Sequence, residues 1–326
     1  MKKMKVLTVG ILFMSLIGCS SKDEVTPLIE EEKYEEAYAI IEKEPEKYKD
    51  KKDKVAFQLA EIAVSQKQYD KALEYLNENE FEGAKELKEE TKKKKVDADF
   101  IKDMAKALDE RYKEYDKRKS EFSKEANSSY IQKELDIIKK YADVDFYDDE
   151  LEGWVKEYVE ATERQFKSFE QWDTNLFKNS LDSMAANGYR LVAIQKINAK
   201  YPIPVSYEGS KETLDGYNKV VSSGEGDANQ KLYETCVLKK VDTFDNTGGP
   251  IFELSGKNTS HVYLEPEAGY DNFGIFYGAH LLDRNGDFVD QLNDEGLPFL
   301  RPGQAFTVKA WVEKPIGDLK DYWVEF

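Results

Sequence analysis

The chain has 326 residues, 40% hydrophobic and 13% aromatic, more than one small core can use, so two or more folded units are expected. Its 48 Lys and Arg stand against 65 Asp and Glu, a formal net charge of −17. With no general basic field to attract a phosphate backbone, nucleic acid is not an expected partner.

The chain opens with Lys2, Lys3 and Lys5, followed by an apolar run from Val6 to Ile17. About a dozen apolar residues are too few to cross a ~30 Å hydrocarbon core as a helix. The run closes on Leu16-Ile17-Gly18-Cys19, an apolar residue at −3 and a small one at −1 before a cysteine, and Ser20-Ser21-Lys22-Asp23 follows as a polar tether. This stretch resembles the lipobox of bacterial lipoprotein signal peptides. The resemblance implies that residues 1–18 are a signal peptide and that 19–27 hold the lipidated Cys19 and its tether. Membrane lipid is then a partner through acylated Cys19, with a diacylglyceryl group and fatty acids such as palmitate. That address is the extracytoplasmic face of the cell membrane. One acyl chain binds a membrane only marginally, whereas several on one residue anchor firmly. Loss of the leader removes three lysines and leaves a net charge of about −20.

Cys236 is the only other cysteine, so no internal disulfide is possible once Cys19 is acylated. It lies in Leu232-Tyr233-Glu234-Thr235-Cys236-Val237-Leu238 and reads as a buried strand residue without the neighbouring cation a reactive thiol needs.

From Leu28 to about residue 205 the chain is rich in Lys, Glu, Ala, Leu and Tyr and poor in Gly and Pro, a helical composition. Lys33-Tyr34-Glu35-Glu36-Ala37 recurs as Gln68-Tyr69-Asp70-Lys71-Ala72, an offset of 35. Residues 55–77 resemble a tetratricopeptide hairpin, whose period is 34, although Lys67 or Gln68 stands where that repeat carries Gly. The resemblance implies a helical scaffold and, alternatively, a peptide-binding groove. Lys92-Lys93-Lys94-Lys95 reads as a solvated helix end, and Asn127-Ser128-Ser129 as an N-cap between helices at Phe100–Tyr115 and Tyr130–Tyr141. Two longer helices are expected at Leu151–Phe169 and Trp172–Tyr201, with the recurrent aromatics as core.

Pro202 and Pro204 end this pattern, and Gly209, Gly216, Gly224 and Gly226 mark an irregular linker over 206–230. Beyond it, strands are expected at Tyr233–Val241, Ile251–Lys257, Phe273–Leu282, Phe288–Leu292, Phe306–Val312 and Tyr322–Phe326. Turn residues separate them at Asn246-Thr247-Gly248-Gly249, Asn258-Thr259-Ser260, Asn285-Gly286 and Arg301-Pro302-Gly303. Phe252–Thr259, Leu282–Asp287 and Leu300–Phe306 resemble the strand and turn motifs of the FxLYD family and related immunoglobulin-like domains, apart from an insertion at about 265–272. The resemblance implies a sandwich with adhesion or spacing roles and no shared catalytic residues.

The fold expected is therefore α+β and multidomain: a helical bundle with a tetratricopeptide-like start over 28–205, a linker over 206–230, and an immunoglobulin-like β-sandwich over 231–326. Asp283-Arg284-Asn285-Gly286-Asp287 echoes a calcium loop but has Phe288 at position six and Asp294 at twelve, so it reads as a hairpin turn. The acidic run of Asp143, Asp145, Asp148, Asp149, Glu150 and Glu152 reads as a solvated helix entry. His261 and His280 are the only histidines, too few for a zinc site or a Ser-His-Asp arrangement. No catalytic residue, metal or cofactor is expected. The function expected is non-catalytic, binding or structural, toward a protein or an envelope polymer. The alternatives are an envelope hydrolase with a carboxylate pair and a solute-binding lipoprotein; helices followed by strands, instead of alternating with them, argue against the latter.

Overall fold

The computed structural model describes residues 23–222, 225–264, 276 and 278–325. Cys19, the leader before it and the expected insertion at 265–272 lie outside the described residues. Contacts divide the chain into two units, one up to Lys92 and one from Lys93 onward.

The first unit contains helices α1 (Val25–Glu30), α2 (Tyr34–Lys43), α3 (Lys49–Ser65), α4 (Tyr69–Tyr75) and the start of α5 (Ala84–Arg118). Its core is built at the repeat offset: Val25 and Ala60, Ala37 and Ala72, and Ile41 and Leu76 are each buried. The turns repeat as well. Glu32 and Lys67, 35 residues apart, are both left-handed, with φ of 58° and 59°. After α1, the N–H of Lys33 donates to Leu28 O at 2.8 Å and that of Glu32 to Ile29 O at 3.1 Å. After α3, the N–H of Gln68 donates to Ala63 O at 2.8 Å and that of Lys67 to Val64 O at 2.9 Å. Both are Schellman closures, which use a residue of positive φ to satisfy the last carbonyls of a helix. The position that most readily takes Gly carries Lys67 here and keeps the same backbone.

The second unit begins with the rest of α5 and adds α6 (Lys124–Ile138), α7 (Asp149–Glu170), α8 (Leu176–Lys200), α9 (Glu208–Ser222) and α10 (Glu225–Thr235). Short polar side chains start three of these helices. Ser123 Oγ accepts from the N–H of Ala126 at 3.0 Å, Asp148 Oδ1 from that of Glu150 at 3.0 Å, and Asn175 Oδ1 from that of Lys178 at 2.9 Å. Each satisfies an amide that has no partner within its helix. Among the described residues no helix is long and apolar enough to cross a membrane.

Among the described residues seven strands follow: β1 (Val237–Thr243), β2 (Pro250–Lys257), β3 (His280–Leu282), β4 (Phe288–Gln291), β5 (Asn293–Asp294), β6 (Ala305–Trp311) and β7 (Trp323–Glu325). They form two antiparallel sheets, ordered β1-β2-β6-β5 and β4-β3-β7. Phe252, Leu254, Phe306 and Ala310 from the first sheet and Leu281 and Val324 from the second share one core with Phe177 and Leu181 of α8 and Ala228 and Leu232 of α10. Gly248, Gly286 and Gly303, all at positive φ, sit in three of the expected turns. At the fourth, buried Asn258 donates through Nδ2 to Val262 O (2.9 Å) and Leu300 O (3.1 Å) while its Oδ1 accepts from the N–H of Ser260 (3.0 Å).

Several local expectations need correction. The stretch over 206–230 expected as a linker is largely helical, holding α9 and α10 despite its glycines, and Asp109 fixes the residues just before α9 by accepting from the N–H groups of Ser206 (3.0 Å) and Tyr207 (3.1 Å). Tyr233 lies in the last turn of α10 instead of opening a strand, and Cys236 lies between α10 and β1, half-buried. Lys92–Lys95 lie inside α5, which runs through them without a break. Asn127–Ser129 lie inside α6, where Ser128 Oγ donates to Lys124 O at 2.6 Å and Ser129 Oγ to Ala126 O at 2.9 Å, so neither hydroxyl competes for an amide.

The strands are not set apart from the helices beyond 205. Trp323 of β7 stacks on Trp172 at 5.2 Å and on Phe169 at 5.0 Å, and Phe122 lies 5.3 Å from Trp172 and 6.2 Å from Trp323. Four aromatic rings bury a large apolar area at one junction, which explains why helices and strands from Lys93 onward make a single unit.

Candidate functional site

Cys19, the expected lipidation site, lies outside the described residues, but the residues from Asp23 onward are described. Asp23 accepts through Oδ1 from the N–H groups of Val25 (3.2 Å) and Thr26 (3.1 Å), and through Oδ2 from Thr26 Oγ1 and from Lys51 Nζ. Lys51 also donates to Thr26 Oγ1 at 2.8 Å. The Lys51 ammonium and the Thr26 hydroxyl hold the Asp23 carboxyl well below the usual carboxylate range. Two residues on, Val25 is fully buried with Tyr48 and Val55. The chain from Asp23 onward is therefore fastened to the start of α3.

Candidate chemical groups elsewhere are occupied by structure. Asp283 Oδ1 accepts from the N–H of Asn285 (2.7 Å) and of Asp287 (3.0 Å), with Gly286 at φ 85°, which is a turn held by its own carboxylate. In the acidic run, Asp148 caps α7 and pairs with Lys200 at 2.6 Å, while Glu152 accepts from the N–H of Phe146 at 3.1 Å. Among the described residues no three His, Cys, Asp or Glu side chains gather as metal ligands. His261 is exposed after a turn; His280 is exposed on β3 with its ring edge-on to Phe288 at 5.4 Å. Burial pushes the Cys236 thiol up to about 12, aided by Asp294, so it stays protonated at neutral pH.

One cluster escaped the sequence reading. Glu134 on α6 is fully buried and accepts from Arg190 of α8 (Nε at 2.8 and 3.0 Å, Nη2 at 2.6 Å), from Arg111 of α5 and from the Tyr158 hydroxyl of α7. Arg111 Nη2 also donates to Gln165 Oε1 at 2.9 Å and its guanidinium lies 5.1 Å from the Tyr130 ring. Burial alone would raise the Glu134 carboxyl, but the charges of Arg190 and Arg111 outweigh it and hold it ionised. Two guanidiniums against one carboxylate leave an excess positive charge inside, and Arg190 Nη1 is buried without a hydrogen bond. The cluster ties four helices together, and an ionised carboxylate sealed from solvent has no proton to give a substrate. The signal was present in the sequence as charged residues on apolar helical faces, Glu134 three residues after Ile131 and Arg111 three after Leu108.

Two open grooves mark the helical surface. One of about 530 Å³ runs among α7, α8 and α10, with Lys196 paired to Glu157 at 2.8 Å and the Tyr189 hydroxyl donating to Glu234 at 2.8 Å. The other, of about 510 Å³, lies between α6 and α7, with Lys139 paired to Glu163 at 2.8 Å. Their charges are largely matched by neighbours. The strand region carries a different surface: Tyr263 and Phe299 are 55% and 42% exposed and stack at 5.4 Å. They are held beside the Leu264–Leu300 bridge, whose two N–H···O bonds measure 3.1 and 3.0 Å. Against this geometry, no family model, no curated protein and no solved structure matches the chain.

Proposed function

We propose that the chain is a lipoprotein of the bacterial cell envelope, held on the extracytoplasmic face of the membrane by acylated Cys19, that works by binding instead of by catalysis. The observation that carries this reading is Leu16-Ile17-Gly18-Cys19 at the end of a short apolar leader behind three lysines. Support comes from the fastening of Asp23 at the start of α3, which gives a tether from Cys19 a defined point of attachment. The repeated Schellman turn of the first unit fits a tetratricopeptide-like hairpin array. Two antiparallel sheets of four and three strands around a shared core fit an immunoglobulin-like arrangement.

The binding face proposed is the exposed Tyr263–Phe299 pair, since stacked aromatics on a soluble surface supply apolar area without ordering cost. The ligand is a protein or an envelope polymer. Two experiments test the two halves. Globomycin treatment should accumulate the uncleaved precursor, and Cys19→Ser should remove the lipid from it; unchanged migration under both would defeat the anchor. Sedimentation of the full chain with isolated envelope should fall about tenfold with Tyr263→Ala and Phe299→Ala together, and unchanged sedimentation would remove that face from the reading.

A further inference from the structure

We infer that the start of α3 is a second membrane contact, in which Lys49, Lys52 and Lys54 lie on the phosphates of anionic lipid headgroups. This rests on the proposed anchor at Cys19. Three observations carry it. First, residues 23–92 hold 12 Lys against 21 Asp and Glu, yet five of those lysines fall within 47–54. Lys47 is paired with Glu44 at 2.7 Å and Lys51 with Asp23, whereas Lys49, Lys52 and Lys54 are exposed and make no ion pair among the described residues. Of the neighbouring carboxylates, Asp53 is turned to the N–H of Glu80 at 3.2 Å, while Glu46 and Asp50 flank the three lysines in sequence and Glu24 lies near Tyr48, its N–H donating to the Tyr48 hydroxyl at 3.5 Å.

Second, stability does not account for their placement. Cations in the first turn of a helix oppose its dipole, and the unpaired Lys49 and Lys52 occupy the first turn of a 17-residue helix that Tyr48 leaves without a side-chain cap. Third, the tether delivers this end to the lipid. Asp23 bonds directly to Lys51, in the midst of these lysines, and the four residues from Cys19 to Asp23 span at most about 14 Å. An acylated Cys19 therefore keeps the patch within one short chain length of the headgroups. A lysine near an anionic membrane surface gains about fivefold in binding, an effect that decays within a Debye length of about 10 Å.

The test uses the whole chain from Cys19 onward, coupled through the Cys19 thiol to a maleimide-bearing lipid in vesicles. The chain used carries Cys236→Ser, which leaves Cys19 as its single thiol. Vesicles are made either of phosphatidylcholine or of phosphatidylcholine with one third phosphatidylglycerol. Lysines are then acetylated with an uncharged reagent and quantified by peptide mass spectrometry. Lys49, Lys52 and Lys54 are expected to react at least threefold more slowly on the anionic vesicles, with the difference lost in 0.5 M NaCl. Lys67, about 25 Å away past the far end of α3, should react equally on both. Equal reactivity of the three lysines on the two vesicle types would overturn the inference. Because the coupling supplies the anchor chemically, that failure is distinct from finding Cys19 without lipid in the native protein, which would defeat the anchor alone.

Discussion

Glu134 and Arg190 meet in a fully buried, three-bond ion pair that joins α6 to α8, and Arg111 and Tyr158 complete it from α5 and α7. Breaking such a pair by removing one partner strands the other charge in an apolar interior, at a cost of about 3–5 kcal/mol. Glu134→Gln leaves two guanidiniums facing no carboxylate, and Arg190→Met leaves a buried carboxylate with Arg111 alone. Glu134→Gln is expected to lower the melting temperature of the second unit by about 10 °C and Arg190→Met, which keeps the Glu134–Arg111 pair, by about half as much, followed by far-ultraviolet circular dichroism. A shift under 2 °C would show that the interior adjusts to the lost charge.

The paired turns at Glu32 and Lys67 make a prediction of opposite sign. A left-handed residue other than Gly costs roughly 1–2 kcal/mol, and Gly gives back part of that gain as unfolded-chain entropy. Lys67→Gly should therefore stabilise the first unit by about 0.5–1 kcal/mol, measured by urea unfolding. Loss of stability would mean that Lys67 contributes more through its side chain than its backbone costs.

Gly286 ties the strand region to the helical one through a close approach. A Cβ there would lie 2.5 Å from Phe122 Cβ, on a residue already at φ 85°. Gly286→Ala should push Phe122 off Trp172 and Trp323 and lower stability by at least about 2 kcal/mol. Tryptophan fluorescence should then report the stack opening before far-ultraviolet signal is lost, whereas coincident transitions in the variant would contradict the linkage.

Acid should release α7 from α8 near Asp148. Burial raises this carboxyl, but the bonds from Lys200, Tyr201 and the N–H of Leu151 outweigh it and hold it down at about 2. A carboxyl depressed in the folded state stabilises above its unfolded value of about 4 and loses that contribution as pH falls from about 4 through 2. Asp148→Asn should remove up to about 2 kcal/mol of stability at pH 7 and flatten the stability profile between pH 4 and 2. An unchanged slope in that interval would contradict the assignment.

What the sequence revealed followed local chemistry. The amphipathic spacing of Leu59, Ala60 and Ala63, the glycines at 248, 286 and 303, and the alternation through Phe252 and Leu254 all act within a few residues, and helix, turn and strand appear there. Where tertiary contacts decided, local signals misled. Asp109, 97 residues before Ser206, fixes the entry to a helix in a stretch whose glycines suggest a linker, and the Trp172–Trp323 stack joins segments 151 residues apart. Ser123 displaced Asn127–Ser129 as the cap of α6 because its own Oγ reaches an amide three residues on. The Glu134 cluster was hidden because a charged residue on an apolar face looks like any other helical charge until its partners, 23 to 56 residues away, are seen.

The proposed address depends on the sulfur of Cys19. The most direct measurement is mass spectrometry of the N-terminal peptide of protein extracted from its native membrane. A chain that begins at Cys19 and carries a thioether-linked diacylglyceryl group is the predicted result. A mature terminus at another residue, or Cys19 present as a free thiol, would contradict it.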